Sequence, residues 1–226
     1  MLYLLDTADL EAIAHFSEYY PLSGVTTNPT LISKQKTDCF KLLKSIRQII
    51  GGNKSLHVQT TQKKASDIVN EATRIQNEVG DNFYIKIPIG EEALKATAKL
   101  VNIGIKVTMT AIFTPQQALL SAKAGASFVA PYVNRLDNVS GNGVEVVTNI
   151  VNLFNNYDLD CQVLAASFKN VQQVSECALA KCHAATISPE VLAALLKHPL
   201  TDAAINGFEK DWKSFYGDST ILDLLK

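Results

Sequence analysis

The stretch FYIKIPIGEEALKATAKLVNI, residues 83 to 103, contains the repeating unit of the chain. Its first part, Phe83 to Pro88, is a short apolar run that is interrupted by Lys86. Its second part, Glu91 to Ile103, carries apolar residues at three- and four-residue spacing, which predicts an amphipathic helix. A buried strand followed by a helix is the βα unit of parallel sheets.

The same unit recurs about every 25 to 30 residues along the chain. Eight strands are predicted: Leu2 to Thr7, Gly24 to Asn28, Ser55 to Thr60, Phe83 to Pro88, Lys106 to Phe113, Ser127 to Asn134, Cys161 to Ser167 and Ala184 to Ser188. Helical periodicity lies between them, for example over Asp38 to Ile50, Ala65 to Val79, Pro115 to Ala124 and Gly143 to Asn156.

This alternation in 226 residues predicts an α/β fold, a single (β/α)8 TIM barrel, because such barrels begin at about 200 residues. An open, doubly wound parallel sheet is the alternative. Against it, no GxGxxG follows the first strand, and the glycines of Gly51 to Asn53 precede a strand where a dinucleotide loop would follow one.

Composition excludes several classes of protein. An apolar content of 47% excludes disorder, and Lys+Arg (21) nearly balance Asp+Glu (22), so neither nucleic acid nor a membrane surface is an expected partner. No apolar run is long enough to cross a bilayer, and the N-terminus lacks the basic start of a signal peptide. A cytoplasmic location is therefore expected.

The chain is predicted to form one domain, residues 1–226, with residues 199–226 as a helical extension. Phe208, Trp212, Phe215 and Tyr216 lie on the helical pattern of this extension. Two interpretations remain open: the aromatic residues cover the flank of the barrel, or they dock on a neighbouring subunit.

Polar residues of one parity lie at the carboxyl ends of the predicted strands, where barrel enzymes place their catalytic groups. Strands one to seven contribute Asp6, Thr26 with Asn28, His57 with Gln59, Tyr84 with Lys86, Thr108 with Thr110, Tyr132 with Asn134, and Ser167 with Ala165. The other parity is mostly apolar and includes Leu164. The pattern predicts a polar ring at one mouth of the barrel.

Lys86 stands out because an ammonium group inside an apolar strand is costly unless it is paired or deprotonated. Desolvation lowers a lysine pKa and leaves the nucleophilic amine that Schiff-base chemistry on a ketone requires. Asp6 is positioned to orient this amine or to shuttle a proton. A structural ion pair between Lys86 and Asp6 is the competing interpretation.

Two further groups of residues suggest chemistry. Gln59, Thr110 and Tyr132 form a set that can hold a water molecule, with the phenol as acid or base. Arg135, Ser167 and Lys169 form a set that can bind a phosphate, although solvated loop charges are the alternative for the two cations.

No metal site is predicted, since the four histidines are scattered, and His57 is expected to be a hydrogen-bonded barrel residue.

Seven motifs together resemble the transaldolase family, especially its short members, which include the fructose-6-phosphate aldolases. They are LDTADL at 5–10, GVTTNPTLI at 24–32, YIKIPI at 84–89, TMTAIFTPQQA at 108–118, AGASFVAPYVNRLDN at 124–138, LAASFKN at 164–170 and HPLTDAAINGFEKDW at 198–212. The combination of TTNP, IKIP and ASFK at these spacings is highly specific, and the match runs over nearly the whole chain.

The resemblance implies a class I aldol enzyme in which Lys86 attacks the ketose carbonyl and no cofactor is needed. It implies that Asp6 and Asn28, with Thr26 beside them, assist carbinolamine turnover and bind the three-carbon unit. Gln59 and Thr110 match the pair that holds the catalytic water. The resemblance assigns the phosphate to Arg135, Ser167 and Lys169. It also implies a ring-shaped homo-oligomer, a decamer or a pentamer, held by the C-terminal helix.

The family contains two activities, and this chain differs from transaldolases at informative positions. Similar transaldolases carry glutamate at position 59 and a phenylalanine, within a Ser-Pro-Phe run, at position 132. Gln59 and Tyr132 therefore favour a fructose-6-phosphate aldolase that releases dihydroxyacetone and glyceraldehyde 3-phosphate. A transaldolase that passes dihydroxyacetone to erythrose 4-phosphate is the first alternative, and a sugar-phosphate-binding barrel without catalysis is the second.

Overall fold

The computed structural model describes residues 1–225, which separate into two compact units, Met1–Leu192 and a second unit that begins at Ala193. The first unit contains a closed barrel of eight parallel strands in chain order. The strands are β1 Leu2–Asp6, β2 Leu22–Thr26, β3 Ser55–Gln59, β4 Phe83–Pro88, β5 Lys106–Ile112, β6 Phe128–Pro131, β7 Gln162–Ala165 and β8 Ala184–Ile187. Strand β8 pairs with β1, with Ala184 opposite Leu2. This closure excludes the open sheet and confirms the (β/α)8 prediction.

Helices follow the strands in the manner of a TIM barrel. They are α1 Leu10–Tyr19, α2 Pro29–Lys34, α3 Cys39–Ile50, α4 Ala65–Val79, α5 Glu91–Asn102, α6 Pro115–Lys123, α7 Val133–Asp137, α8 Gly143–Asn156, α9 Val171–Leu179 and α10 Pro189–Ala194. Caps fix several helix starts. The Asp9 carboxylate accepts from two backbone N–H groups of α1, and Thr114 forms a capping box with Gln117.

Three predicted strand ends are corrected by the structure. Strand β2 ends at Thr26, and Asn28 is instead the N-cap of the short helix α2. Strand β6 ends at Pro131, so Asn134, which was predicted to lie in a strand, belongs to the five-residue helix α7. Strand β7 ends at Ala165, before Ser167. Helices α2 and α7 have too few residues to show a helical period in the sequence.

The lumen of the barrel also corrects the predicted parity of strand β7. Leu164 belongs to a buried cluster with Leu4, Phe128 and Ala184, against which Tyr84 packs. Leu164 therefore points inward, whereas the sequence pattern placed it on the outward parity with Ala165 inside. The run VLAA is apolar on both faces and gives no alternation from which to read the direction.

The second unit is mainly one helix, α11, which spans Pro199–Tyr216. The helical pattern predicted up to Lys226 is correct only as far as Tyr216. Gly217, at φ 62°, follows as C-cap, and a short 3₁₀ turn spans Leu222–Leu224; Lys226 lies outside the described residues. The Trp212 indole N–H donates to the Ser219 carbonyl at 2.7 Å, which ties the end of this unit together.

No residue of α11 is buried, and several large apolar side chains are exposed on it, namely Leu200, Ile205, Phe208 and Phe215. Large apolar side chains on a helix are normally packed against another surface, away from water. In the part of the chain that the structure describes, no helix is both long and apolar enough to span a membrane.

Candidate active site

The carboxyl ends of the strands bring Asp6, Thr26, Gln59 and Lys86 to one mouth of the barrel, whereas Tyr84 of the predicted polar ring lines the cavity at the other end. Asp6 and Thr26 lie opposite each other at the ends of β1 and β2. Gln59, at the end of β3, lies opposite Lys86 of β4. Adjacent positions in parallel register present their side chains to the same face, so these residues share the lumen.

Lys86 is buried, with 5% of the residue exposed, and its Nζ donates to the Thr27 carbonyl at 3.0 Å. Burial lowers the pKa of the Lys86 amine, and the charge of the Asp6 carboxylate partly opposes this shift. No ion pair within 4.0 Å joins Lys86 to Asp6 in residues 1–225. The structure therefore gives Lys86 a desolvated amine beside a carboxylate, without the direct structural salt bridge that was the competing interpretation.

Asp6 is held by a chain of hydroxyl groups. The Thr26 hydroxyl donates to Asp6 Oδ1 at 2.6 Å and lies 2.6 Å from the Thr186 hydroxyl. Because the single Thr26 proton is given to the carboxylate, Thr186 must donate to Thr26. These hydrogen bonds fix the position of Asp6 Oδ1. Thr186 was absent from the predicted ring, although extending the same parity to strand β8 would have found it.

Asn28 takes a different position from the one predicted. Its side-chain oxygen accepts from the Leu31 N–H at 3.0 Å as the N-cap of α2, after the end of β2. The side-chain amide therefore has its oxygen engaged, and its N–H groups are the part that a substrate can meet.

His57 lies in the layer of the lumen that adjoins Lys86, and it is fully buried. Its ring is 2.8 Å from the Thr108 hydroxyl through Nδ1 and 3.0 Å from the Ser55 hydroxyl through Nε2, and it stacks on Tyr84. Burial and the charge of Lys86 hold the pKa of His57 well below its usual value. The prediction of a hydrogen-bonded barrel histidine is confirmed. His57 is a neutral polar side chain in the layer next to Lys86.

Thr110 on β5 and Tyr132, which directly follows β6, contact each other. The Thr110 hydroxyl donates to the Tyr132 phenol oxygen at 3.1 Å, and Thr110 is buried while Tyr132 is half-buried. The Phe113 ring packs on Tyr132 edge to face, with centroids 5.6 Å apart. Because Thr110 donates in this contact, the phenol proton is directed elsewhere and is available to a substrate or a water molecule.

The three residues of the predicted phosphate site lie on two connected segments. Arg135, on α7, is exposed and places its guanidinium 4.8 Å from the centre of the Tyr132 ring. Ser167 adopts a left-handed backbone conformation at φ 64°, and its carbonyl accepts from the Asn134 N–H at 3.2 Å. Lys169 is exposed two residues further on. Backbone strain of this kind is common where a loop is shaped for a ligand.

The opposite end of the barrel contains a cavity of about 800 Å³. It is lined by residues at the beginnings of the strands, among them Ser23, Ser55, Asn82, Tyr84, Lys106 and Gln162. Lys86 and the other predicted site residues do not line it. The candidate site is therefore the carboxyl mouth, as in other TIM barrels.

Comparison with known families gives a match along almost the entire length. The family model described as Transaldolase/Fructose-6-phosphate aldolase covers residues 3–219. The chain belongs to this family. The match confirms the resemblance to the short members of the transaldolase family that the seven motifs indicated.

Relatives in the transaldolase family align over nearly their full length. The chain is 43% identical to a probable transaldolase of Symbiobacterium thermophilum, over 94% of this chain and 97% of that protein. It is 41% identical to a probable transaldolase of Lactiplantibacillus plantarum, over 95% and 98%. A solved thiamine phosphate pyrophosphorylase from Pyrococcus furiosus superimposes with a TM-score of 0.60 at 14% identity, covering 83% of this chain and 84% of that one, a likeness of fold alone.

Proposed function

We propose that this enzyme is a fructose-6-phosphate aldolase that cleaves its substrate through an imine on Lys86. The buried, desolvated Lys86 amine beside the Asp6 carboxylate carries the proposal. A neutral amine attacks a ketone, and the protonated imine that results is itself an electron sink. The proposed reaction therefore requires neither a metal nor an organic cofactor.

Imine formation needs proton transfers that Asp6 is placed to make. Attack of Lys86 Nζ on the C2 carbonyl gives a carbinolamine, which loses water when its hydroxyl is protonated. The carboxylate, held by Thr26, can deliver and recover that proton through a water molecule. Thr26, at the end of β2, and the amide of Asn28, two residues further on, are proposed to bind the hydroxyls of the three-carbon unit.

Cleavage of the C3–C4 bond requires a base for the C4 hydroxyl. In the proposal this proton passes to a water held by Gln59, Thr110 and Tyr132, the bond electrons move into the iminium ion, and glyceraldehyde 3-phosphate leaves. The enamine is then protonated at C3, and hydrolysis releases dihydroxyacetone and the free amine. A glutamine cannot take up a proton, so the acid–base role falls to the Tyr132 phenol.

The phosphate group is assigned to Arg135, Ser167 and Lys169. A guanidinium, a hydroxyl, an ammonium and backbone N–H groups suit a dianion, and the two segments that carry them are joined at Asn134 and Ser167. Arg135 also covers the Tyr132 ring. The phosphate would thus be held next to the residue proposed to move the proton.

Replacing Arg135 by Ala is expected to weaken the use of phosphorylated aldehydes selectively. Loss of charge-assisted hydrogen bonds should lower kcat/KM for glyceraldehyde 3-phosphate about 10- to 100-fold. Addition to unphosphorylated glyceraldehyde should change less than about twofold. Steady-state kinetics of dihydroxyacetone addition measures both, with Arg74→Ala on the exposed face of α4 as a matched control. Equal losses for the two aldehydes would show that the phosphate lies elsewhere.

Transaldolase activity is the second candidate, and the names of the relatives favour it, because they are called probable transaldolases. In that reaction the dihydroxyacetone unit stays on Lys86 until an aldose phosphate such as erythrose 4-phosphate accepts it. Only the fate of the enamine differs. Gln59 and Tyr132 are the residues on which our preference for the aldolase rests.

Borohydride reduction in the presence of fructose 6-phosphate tests the imine chemistry that both candidates share. We expect one stable adduct per subunit by intact-protein mass spectrometry, located on the peptide that contains Lys86. Borohydride without the sugar is the control. A barrel that only binds sugar phosphates would give no adduct, and a label on another lysine would exclude the proposed nucleophile.

We also propose that the enzyme is a homo-oligomer, a decamer or a pentamer, assembled through α11. The support is the exposed apolar residues of that helix, including Leu200 and Phe208, together with membership of the family. Sedimentation velocity on the full chain measures the subunit count, and a monomer at all concentrations would contradict this assembly.

A further inference from the structure

Gln173 on α9 is a buried polar residue with 7% of its surface exposed, and its side chain makes three hydrogen bonds. Its Oε1 accepts from the Lys169 backbone N–H at 2.8 Å. Its Nε2 donates to Asn134 Oδ1 at 3.1 Å and to Asp137 Oδ2 at 2.7 Å. One amide therefore joins the loop after β7 to helix α7.

The chemistry of the partners fixes the orientation of this amide. The Lys169 N–H can only donate, so it must face the amide oxygen, and the Asp137 carboxylate can only accept, so it must face the amide nitrogen. A glutamate at position 173 would place a second carboxylate against Asp137. No other side chain of this length offers both an acceptor and two donors.

The two segments joined by Gln173 are the ones that carry the proposed phosphate ligands. Arg135 lies in α7 between Asn134 and Asp137, and Ser167 and Lys169 lie in the loop after β7. A helix of five residues has little stability of its own, so tertiary contacts determine its position. The second oxygen of Asp137 is also engaged, because it accepts from the Gly143 N–H at 2.8 Å.

We infer that Gln173 is a positioning residue that sets the distance between Arg135 and the Ser167–Lys169 loop and thereby determines selectivity for phosphorylated substrates. The inference rests on the proposed function. Gln173 acts through the backbone of Lys169 and the side chains of α7, and these contacts engage its amide oxygen and its amide nitrogen. Its loss should therefore move the phosphate ligands while leaving Lys86 in place.

The test is the kinetics of dihydroxyacetone addition to glyceraldehyde 3-phosphate and to glyceraldehyde by the full-length Gln173→Leu variant. We expect kcat/KM for the phosphorylated aldehyde to fall roughly 10- to 100-fold, mainly through KM, because small misplacements of binding groups have effects of this size. For glyceraldehyde we expect a change below about twofold. Gln172→Leu is the matched control, since this neighbouring side chain is exposed and its amide donates to Glu176 of the same helix.

Equal losses for both aldehydes, or no loss for either, would overturn the inference and leave Gln173 with a structural role alone. If Gln173→Leu does not fold, Asn134→Ala decides, because it removes one of the three contacts and keeps the other two. It should lower kcat/KM for the phosphorylated aldehyde about three- to tenfold, and a selectivity equal to that of the wild type would overturn the inference.

The wild-type protein in the same series separates this inference from the function on which it rests. A wild type that turns over neither aldehyde contradicts the proposed function, and the inference with it. An active wild type beside a variant without altered selectivity overturns the role of Gln173 alone.

Discussion

Replacing Lys86 by Met is expected to abolish turnover of fructose 6-phosphate while the protein stays folded. Methionine keeps the unbranched apolar stem but has no nucleophile, so no imine can form. Loss of a catalytic nucleophile should lower kcat by at least about 10³-fold. A coupled dehydrogenase assay that detects the release of glyceraldehyde 3-phosphate measures this kcat.

The fold should survive this change because the cost is small. The variant loses the hydrogen bond to the Thr27 carbonyl, worth about 1 kcal/mol, and it no longer has to bury an amine that water would solvate. The Tm should therefore stay within about 4 °C of the wild type. Lys106→Met, which changes an exposed lysine at the start of the next strand, is the matched control. Activity of the Lys86 variant within tenfold of the wild type would remove the mechanism.

Replacing Tyr132 by Phe should give the second-largest loss. The ring contacts with Phe113 and Arg135 remain, and only the hydroxyl group that accepts the Thr110 hydrogen bond is lost. General acid–base groups contribute about 10² to 10⁴ in rate, so kcat for cleavage should fall by that factor with KM changed little. Steady-state cleavage of fructose 6-phosphate measures both constants.

Tyr84→Phe is the matched control for this variant. Tyr84 also points into the barrel, but it lines the cavity at the opposite end and stacks on His57 through its ring. Removal of the Tyr84 hydroxyl should leave kcat within about twofold of the wild-type value. If Tyr132→Phe kept more than half of the wild-type activity, the proton would have to pass through another group.

The barrel could be predicted because its signals are local. Each strand is a short apolar run and each long helix has several turns of periodicity, and both are visible without knowledge of the rest of the chain. The polar carboxyl ends were equally visible, because a charged residue such as Lys86 interrupts an apolar strand. These signals placed Asp6, Thr26 and Gln59 correctly at the ends of their strands, and Thr110 two residues before the end of β5.

The remaining features depend on contacts that local patterns do not encode. The inward direction of Leu164 is hidden because its neighbours are apolar on both faces of the strand. Helix α7 is too short to show a period. The Gln173 amide joins residues that lie 36 and 39 positions away, so only the folded chain brings them together. Gly217 ends α11 before the predicted end through its left-handed conformation.

The most direct test of the proposed function is to incubate the wild-type protein with fructose 6-phosphate, with and without erythrose 4-phosphate, and to follow both products over many turnovers. We predict that glyceraldehyde 3-phosphate and free dihydroxyacetone accumulate together without an acceptor, far beyond one equivalent per active site. If glyceraldehyde 3-phosphate instead stops near one equivalent until the acceptor is added, and sedoheptulose 7-phosphate then forms, the enzyme is a transaldolase. That result would contradict the role assigned to Gln59 and Tyr132.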